Sequence, residues 1–342
     1  MIKIGLVGCG RISGNHFKAI KEHESRCKLV AVCDNIEERA KKAGEDNKCA
    51  YYTSLDRMLK EEDLDLVSVC TPSGMHPMQG MKVAKAGVHV LTEKPIGINL
   101  NEVDQLIKTC DEEDVHLFVV KQNRLNATMQ ALKKAIDKGR FGKIYMAQSN
   151  VFWQRPQEYY DSAKWRGTWE FDGGAYMNQA SHYVDMLYWL IGDVDYVMAS
   201  TATMARQIET EDTGAAIIKF RNGAIGTMSV TMLAYPKNFE GSITILGEKG
   251  TVRVGGIAIN KIEKWEFADY DDDDKAILEA SYSPPNVYGF GHSGYYHNVL
   301  DVLEGKAEPD TDGRSGRKSL ELIHALYLSS KDKVPVSLPI KF

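Results

Sequence analysis

A lysine and a histidine stand where proton chemistry would need them. Lys94 follows the apolar run Val88-His89-Val90-Leu91 and precedes Pro95, at the carboxyl end of an expected strand. There its ammonium could stabilise a developing alkoxide, or a lowered pKa could make it a base. Pro95 would fix the turn, and a cis Lys94–Pro95 bond would suit it. His182 lies in an apolar stretch of helical spacing. Asn178 is one turn before it and Asp185 about one turn after, so the three share roughly one side of a helix over 175–191. Asn178 would then orient His182 or bind substrate, and Asp185 would hold the imidazole or cap local structure.

The N-terminus supplies an anion site. Lys3-Ile4-Gly5-Leu6-Val7 has a strand's composition and runs into Gly8-Cys9-Gly10-Arg11-Ile12-Ser13, followed by a helical pattern. Backbone N–H groups and the helix dipole in such a turn point at a pyrophosphate, and the glycines let it come close. Ser13 occupies the third-glycine position, with Gly14 beside it. The next strand, Leu29-Val30-Ala31-Val32-Cys33, ends in Asp34, roughly twenty residues beyond Gly10. A carboxylate there accepts both adenosine ribose hydroxyls and repels a 2′-phosphate, which favours NAD over NADP; Arg39 leaves some tolerance for NADP.

These groups require a scaffold of alternating strands and helices. Leu66-Val67-Ser68-Val69-Cys70 is a continuous apolar run, as in a parallel strand covered on both faces, and Thr71-Pro72 stops it. Helices are expected over 76–86 and 99–113, with Leu117-Phe118-Val119-Val120 as a last strand. This is a doubly wound Rossmann-type parallel sheet, whose ligands bind at the carboxyl ends of its strands. Those ends carry Gly8 through Ile12, Asp34, Thr71, Ser73, Glu93 with Lys94, and Gln122. His76 sits near the expected nicotinamide half. Beyond residue 122 the pattern changes. One helix is expected over 126–138, then β-like runs over 144–152, 195–203, 213–220, 224–233, 242–246 and 251–254. Arg221-Asn222-Gly223 and Glu248-Lys249-Gly250 are hairpin turns. Helices over 293–304 and 315–330 close the chain. The expected organisation is a dinucleotide-binding domain over 1–122 and an α+β domain over 123–342 with a largely antiparallel sheet, one face on helices and the other against a partner subunit. Asp271–Asp274 reads as a solvated loop, and Lys275 completes a sequence that enteropeptidase cuts when exposed.

Composition bounds the function. A chain of 342 residues suits about two domains, and a net charge of −5 without a basic stripe excludes nucleic acid as an implied partner. No apolar run approaches the roughly 20 residues that cross a bilayer, and no signal peptide precedes the first strand. Cys9, Cys27, Cys33, Cys49, Cys70 and Cys110 lack paired spacing, so they read as reduced thiols of a cytoplasmic protein and not as disulfides or zinc ligands.

Glu93-Lys94-Pro95, after a Gly-x-Gly-Arg-Ile start and before Gly173-Gly174-Ala175 and His182-x-x-Asp185, resembles the glucose–fructose oxidoreductase / inositol dehydrogenase / MocA family along essentially the whole chain. Lys121–Arg124, Trp153–Asp161, Trp165–Trp169 and Asp172–His182 further resemble the bacterial UDP-N-acetyl-2-amino-2-deoxyglucuronate dehydrogenases. The resemblance implies NAD-dependent oxidation of a sugar 3-hydroxyl ahead of transamination, for surface polysaccharide of the O-antigen type. It implies Lys94 and His182 as the catalytic groups, with no metal, and gives Glu93 to the nicotinamide ribose. Many members carry Asp where Asn178 stands, which removes the simple Asp–His pair. A nucleotide-sugar acid needs cations and donors: Arg155, Tyr159, Tyr160, Lys164, Asn178 and His182 fit, with His292 for the UDP part. Trp165 and Arg166 are expected to close over the dinucleotide. A homo-oligomer, dimer or tetramer, is implied. The competing expectations are a dehydrogenase of UDP-N-acetylglucosamine, inositol or a free sugar, and a non-catalytic NAD-binding regulator.

Overall fold

A computed structural model describes residues 1–283 and 291–341, and the chain divides into two compact units. The first comprises Met1–Lys121 with His292–Arg317; the second comprises Gln122–Gly291 and the chain from Lys318 onward. The sequence suggested one cut after residue 122. The division instead falls one bond earlier, and the segment from His292 to Arg317 belongs with the first unit and not with the second.

In the first unit, β1 (Ile2–Val7), α1 (Ser13–Glu22), β2 (Cys27–Cys33), α2 (Glu37–Asn47), β3 (Ala50–Tyr52), α3 (Leu55–Glu61), β4 (Leu66–Val69), α4 (His76–Lys85), β5 (His89–Thr92), α5 (Leu100–Glu112) and β6 (Leu117–Val119) alternate. The strands form one parallel sheet in the order β3-β2-β1-β4-β5-β6. Leu66, Val67, Val69, Val90 and Leu91 are wholly buried, as helices on both faces of a parallel sheet require. Gly8 has φ +95°, and a Cβ there would lie 2.6 Å from the carbonyl carbon of Cys70, so only glycine fits between β1 and the end of β4. The Lys94–Pro95 bond is cis.

The second unit starts with α6 (Ala127–Asp137), β7 (Ile144–Phe152) and α7 (Gln157–Asp161). It continues through α8 (Ser181–Ile191), β8 (Val194–Ala202), β9 (Thr213–Phe220), β10 (Ile225–Thr231), β11 (Glu240–Gly247), β12 (Gly250–Gly255) and β13 (Lys261–Phe267). The chain then forms α9 (Gly291–Leu303), α10 (Gly313–Asp332) and β14 (Val336–Ser337). The sheet runs β13-β12-β11-β7-β10-β9-β8-β14 and is antiparallel except for β7 against β10. Val197, Ile218, Met228, Val230, Ile243 and Val252 fill its covered face, on which α8 packs against β7. Met146, Met198, Ile217, Ile225 and Leu246 are exposed on the other. Among the described residues, no helix is long and apolar enough to cross a membrane, and the six cysteines are free thiols.

Most of α9 and the start of α10 return to the first unit for identifiable reasons. The Tyr295 hydroxyl donates to the Val119 carbonyl at 2.7 Å, beside a bridge between Phe118 and Asp312. Arg317 grips Asp104 of α5 with two nitrogens. These contacts cover the β6 edge of the parallel sheet.

Two local expectations are corrected. The helix over 175–191 is broken: Ala175–Gln179 is a π-turn closed by the Ala180 N–H on the Ala175 carbonyl, and α8 begins only at Ser181. Five residues per closure place Asn178 off the regular helical face that would align it with His182. The Asp271–Asp274 run stays at the surface, with Asp272 exposed, but is pinned there and enters a 3-10 turn. Asp271 and Asp273 pair with Lys138, Asp273 also with Lys134, and Asp274 with Arg140 and the Trp265 indole. Hydrogen bonds from Lys134 and Lys138 pull the Asp273 pKa down to about 2. Folded protein should therefore resist enteropeptidase at Lys275, whereas protein in urea below the protease's own unfolding range is cut there. Equal cleavage rates, followed by gel electrophoresis, would show the segment to be open after all.

Candidate active site

At the N-terminal end of the first unit, the structure assembles a cradle for a dinucleotide. Ser13, which stands in the third-glycine position, donates its hydroxyl to the Gly10 carbonyl at 2.7 Å and so closes the turn from inside. Ile12, at the cap position of α1, supplies no side-chain acceptor, which leaves the first helical N–H groups to an external anion. A Cβ on Gly10 would meet nothing within 4 Å, so the space over the turn is open. Arg11 is exposed beside it. Asp34 is buried and accepts the Cys9 N–H at 2.8 Å and the Ile36 N–H at 2.9 Å, one on each oxygen. A carboxylate oxygen has two lone pairs, so each keeps one for a ribose hydroxyl. The donors, the open turn and the fixed carboxylate fit a pyrophosphate and an adenosine ribose.

The expected nicotinamide end is a network. Thr71 donates to Gln79 at 2.6 Å, and Ser73 is buried in a short 3-10 turn. His76 is only 1% exposed, and its two ring nitrogens face the carbonyls of Thr71 and Pro95 at 2.8 Å each. It therefore donates to one of these two strand-end turns and packs against the other inside the domain, where burial lowers its pKa. Glu93, which the resemblance gives to the nicotinamide ribose, is turned inward. Its Oε1 meets His16 Nε2 at 3.0 Å and His292 Nε2 at 3.2 Å, and its Oε2 accepts the Lys94 N–H at 3.0 Å. His292, expected as a donor to the substrate, is thus a buried member of the first unit. Burial alone would raise the Glu93 pKa, but the two imidazole N–H groups outweigh it and hold the carboxyl well below its usual range. Lys94 is half-buried on this turn.

In the second unit, Gln122 Nε2 lies 3.2 Å from His182 Nε2, both residues being buried. The Gln122 Oε1 has no hydrogen-bond partner among the described residues. Asn178 donates to Asp172, which also accepts the Gly167 N–H at 2.7 Å. Asp185, expected beside His182, forms a two-pronged pair with Arg124 at 2.7 and 2.8 Å and accepts the Ser319 hydroxyl at 2.9 Å. Glu211 accepts the Tyr176 N–H and the Tyr327 hydroxyl, both at 2.9 Å, and anchors the π-turn; burial raises its pKa to about 7.

The structure gathers most of the expected substrate side chains of this unit. Arg155 donates to Gln179 at 2.8 Å, Gln179 to the Tyr159 hydroxyl at 3.0 Å, and Arg166 to the same hydroxyl. Arg166 stacks on Tyr159 and Trp165 at 4.3 and 4.7 Å, and Arg155 lies over Trp153 and Tyr159 at 5.2 and 5.4 Å. Arg166, assigned to the dinucleotide from sequence, thus joins the Arg155 group. Tyr160 is buried against Tyr159, which leaves its ring in the core, and Lys164 is exposed with no hydrogen bond among the described residues.

Comparison with known proteins places this geometry. Residues 2–121 match the GFO/IDH/MocA model described as oxidoreductase family, NAD-binding Rossmann fold, and residues 133–338 match that family's C-terminal alpha/beta domain. The chain belongs to this family. The WlbA dehydrogenase from Bordetella pertussis, solved in complex with NADH and UDP-GlcNAcA, is 56% identical, with a TM-score of 0.97 over 99% of this chain and 98% of its own. The WlbA dehydrogenase from Chromobacterium violaceum, solved with the same two ligands, is 55% identical, with a TM-score of 0.96 over 100% and 97%. D-apiose dehydrogenase from Paraburkholderia graminis is 24% identical over 98% of this chain and 89% of its own.

Within this oxidoreductase-family frame, sequence reasoning passed over His16, Gln179, Asp172 and Arg124. His16 had a signal: it lies on the first turn of the helix that follows the glycine loop. Gln179 and Asp172 lay inside a quoted motif but carry no distinctive chemistry alone. Removing the buried carboxylate by Asp185→Ala should cost about 3–5 kcal/mol, because it leaves the Arg124 guanidinium uncompensated. Urea unfolding measures this. A loss below about 1 kcal/mol with turnover abolished would instead return Asp185 to the catalytic groups.

Proposed function

We propose that this protein oxidises the 3-hydroxyl of UDP-N-acetylglucosaminuronic acid to the 3-keto sugar, with NAD as the oxidant. The observation that carries the sugar acid is the pair of guanidiniums in the second unit. Arg155 and Arg166 are held by neutral acceptors and aromatic rings, and neither meets a carboxylate among the described residues. Cations kept from internal partners are suited to a ligand that brings its own negative charge. A uronate and a diphosphate do so; inositol and free sugars do not. The ligands of the two WlbA dehydrogenases agree with this reading.

Bound NAD supplies the hydride acceptor. The remaining work is proton transfer and charge stabilisation. Lys94 is assigned to donate to the sugar oxygen as its proton leaves, and His182 to take that proton. The C3–H bond breaks as a hydride and the O–H bond as a proton, so the products are ketone, NADH and a protonated base. Gln122 orients the imidazole at rest, and its amide leaves His182 Nε2 as that nitrogen takes the proton. Asn178, fixed by Asp172, contributes an amide to the substrate side. Asp34 selects NAD through the adenosine ribose.

The same reading extends outward. The product is a 3-keto nucleotide sugar for surface polysaccharide, made in the cytoplasm, where UDP-sugars and NAD are at hand. A second copy of the chain packs on the open sheet face. The face is uncharged at Met146, Met198, Ile217, Ile225 and Leu246, so two copies meet without like-charge repulsion.

A substrate panel with NADH absorbance as readout tests the proposal. UDP-N-acetylglucosaminuronic acid should turn over, and equal turnover of UDP-N-acetylglucosamine would overturn the choice of substrate. Arg155→Ala or Arg166→Ala should raise KM for the uronate about tenfold or more at a smaller change in kcat. His182→Ala should lower kcat by about 10²–10⁴-fold with NADH affinity retained.

A further inference from the structure

We propose that Glu211 is a proton-linked positioning residue of the sugar-acid site: while its carboxyl holds a proton it locks the π-turn that carries Asn178 and Gln179, and it loosens that turn when the proton leaves. This deepens the reading above and rests on it, since that reading gives Arg155 and Asn178 to the substrate.

The hydrogen bonds on Glu211 are divided as on an acid and not as on a carboxylate. Its Oε1 accepts both the Tyr176 N–H and the Tyr327 hydroxyl, at 2.9 Å each. Its Oε2 is buried and has no hydrogen-bond partner among the described residues. That division suits a protonated carboxyl, whose carbonyl oxygen takes two donors while the other oxygen carries the hydrogen. In the ionised form, charge would rest on an oxygen that no N–H or O–H group of the described residues reaches. Asp34 and Asp172 differ, since each has both oxygens engaged by donors. The Gly174 main chain walls off the bare oxygen: a Cβ there would come 1.6 Å from Oε2.

The titratable groups facing Glu211 are Tyr176 in the π-turn, Tyr327 in α10 and Asp172 ahead of the turn. Asp212, its neighbour in the chain, accepts the N–H groups of Met204, Ala205 and Arg206. None of these four side chains is a cation. Burial raises the pKa of both tyrosines, so they stay neutral donors. Burial, with a further push from Asp172, raises Glu211 to about 7. Loss of its proton therefore sets a second negative charge near Asp172, which holds the Asn178 amide. The strain falls on the π-turn, because Glu211 grips it twice: by its side chain at Tyr176, and by its own carbonyl at the Ala175 N–H, 3.0 Å away. At the far end of that turn Gln179 accepts from Arg155 at 2.8 Å and donates to Tyr159 at 3.0 Å. The proton on Glu211 is thus connected, through one short turn, to a guanidinium assigned to the substrate's charge.

Two readouts test this, one of the proton and one of the positioning. Infrared difference spectra of the protein without substrate should show a protonated-carboxyl band in the wild type that Glu211→Gln lacks, fading as the pH rises through about 7. In steady-state turnover of UDP-N-acetylglucosaminuronic acid, the wild-type KM should rise above that pH by up to about tenfold per pH unit relative to Glu211→Gln, whose side chain has no proton to lose. The kcat ratio of the two proteins should stay within about twofold, because His182 titrates in both. Tyr327→Phe takes a donor from Oε1, which favours the acid form, and should move the band's midpoint and the KM break to higher pH. A missing band, or a KM ratio flat across pH, overturns the proposal; should Glu211→Gln not fold, an unmoved break in Tyr327→Phe overturns it. Failure of the substrate assignment is distinct: it appears as no turnover of the uronate at any pH, whereas the spectra need no substrate.

Discussion

A buried carboxylate must find donors or destabilise the strand that carries it, and Glu93 finds them on two helices far apart in the sequence. His16 is available because the helix after the glycine loop packs on the parallel sheet, where its ring also meets Ser68 of β4. His292 is available only because the chain, after building the second unit, returns to the first. The requirement therefore explains a feature of the topology. The segment from His292 to Arg317 supplies a hydrogen bond to the strand-end turn and, through Tyr295 and Thr311, closes the edge at β6. The same charge that makes Glu93 costly to bury gives the Lys94 turn its rigidity, since the Lys94 N–H is one of the carboxylate's donors.

The second unit solves the same problem repeatedly. Asp172 joins Gly167 to Asn178, Asp185 joins Arg124 to Ser319, and Glu211 joins the π-turn to Tyr327. Each holds one segment around His182 or the motif before it. Gly174 shows how tightly: a Cβ there would lie 1.6 Å from a Glu211 oxygen. The glycine pair in that motif serves the carboxylate behind it as much as any ligand in front. A π-turn is tolerated here because the N–H groups of Ala175 and Tyr176 are taken by Glu211 and not left unsatisfied.

The parallel sheet was legible because its signals are local. Continuous apolar runs such as 66–70, glycine turns and an acidic residue at a strand end each need only a few neighbours in sequence. The hairpins at 221–223 and 248–250 were legible for the same reason. What escaped was set by distant residues. Ala50–Tyr52 is a short, largely exposed edge strand with no periodicity to detect. The 261–267 strand, rich in Lys and Glu, lies at the other sheet's edge, where alternation is weak. Nothing near Asp274 announces Arg140, and nothing near Glu93 announces His292. The candidate site follows the same division. Gly8, Gly10 and Asp34 occupy the places their spacing implied, whereas His76, Glu93 and His292 proved to bind one another's surroundings, because long-range pairing decides where a buried polar side chain points.

The exchange of Asp for Asn at position 178 follows from the same logic. Both oxygens of Asp172 are engaged, one by the Gly167 N–H and one by the Asn178 amide. A carboxylate at 178 would oppose Asp172, and one of the two would have to take up a proton. An amide avoids that repulsion and still presents polar atoms. Arg155 and Arg166 express the complementary choice, since their cations are stacked on rings and not neutralised by acids. In this unit the internal acids Asp172, Asp185 and Glu211 are matched to internal donors. The first unit places carboxylates at its strand ends, with Asp34 held by backbone N–H groups and Glu93 by the imidazoles of His16 and His292 and the Lys94 N–H.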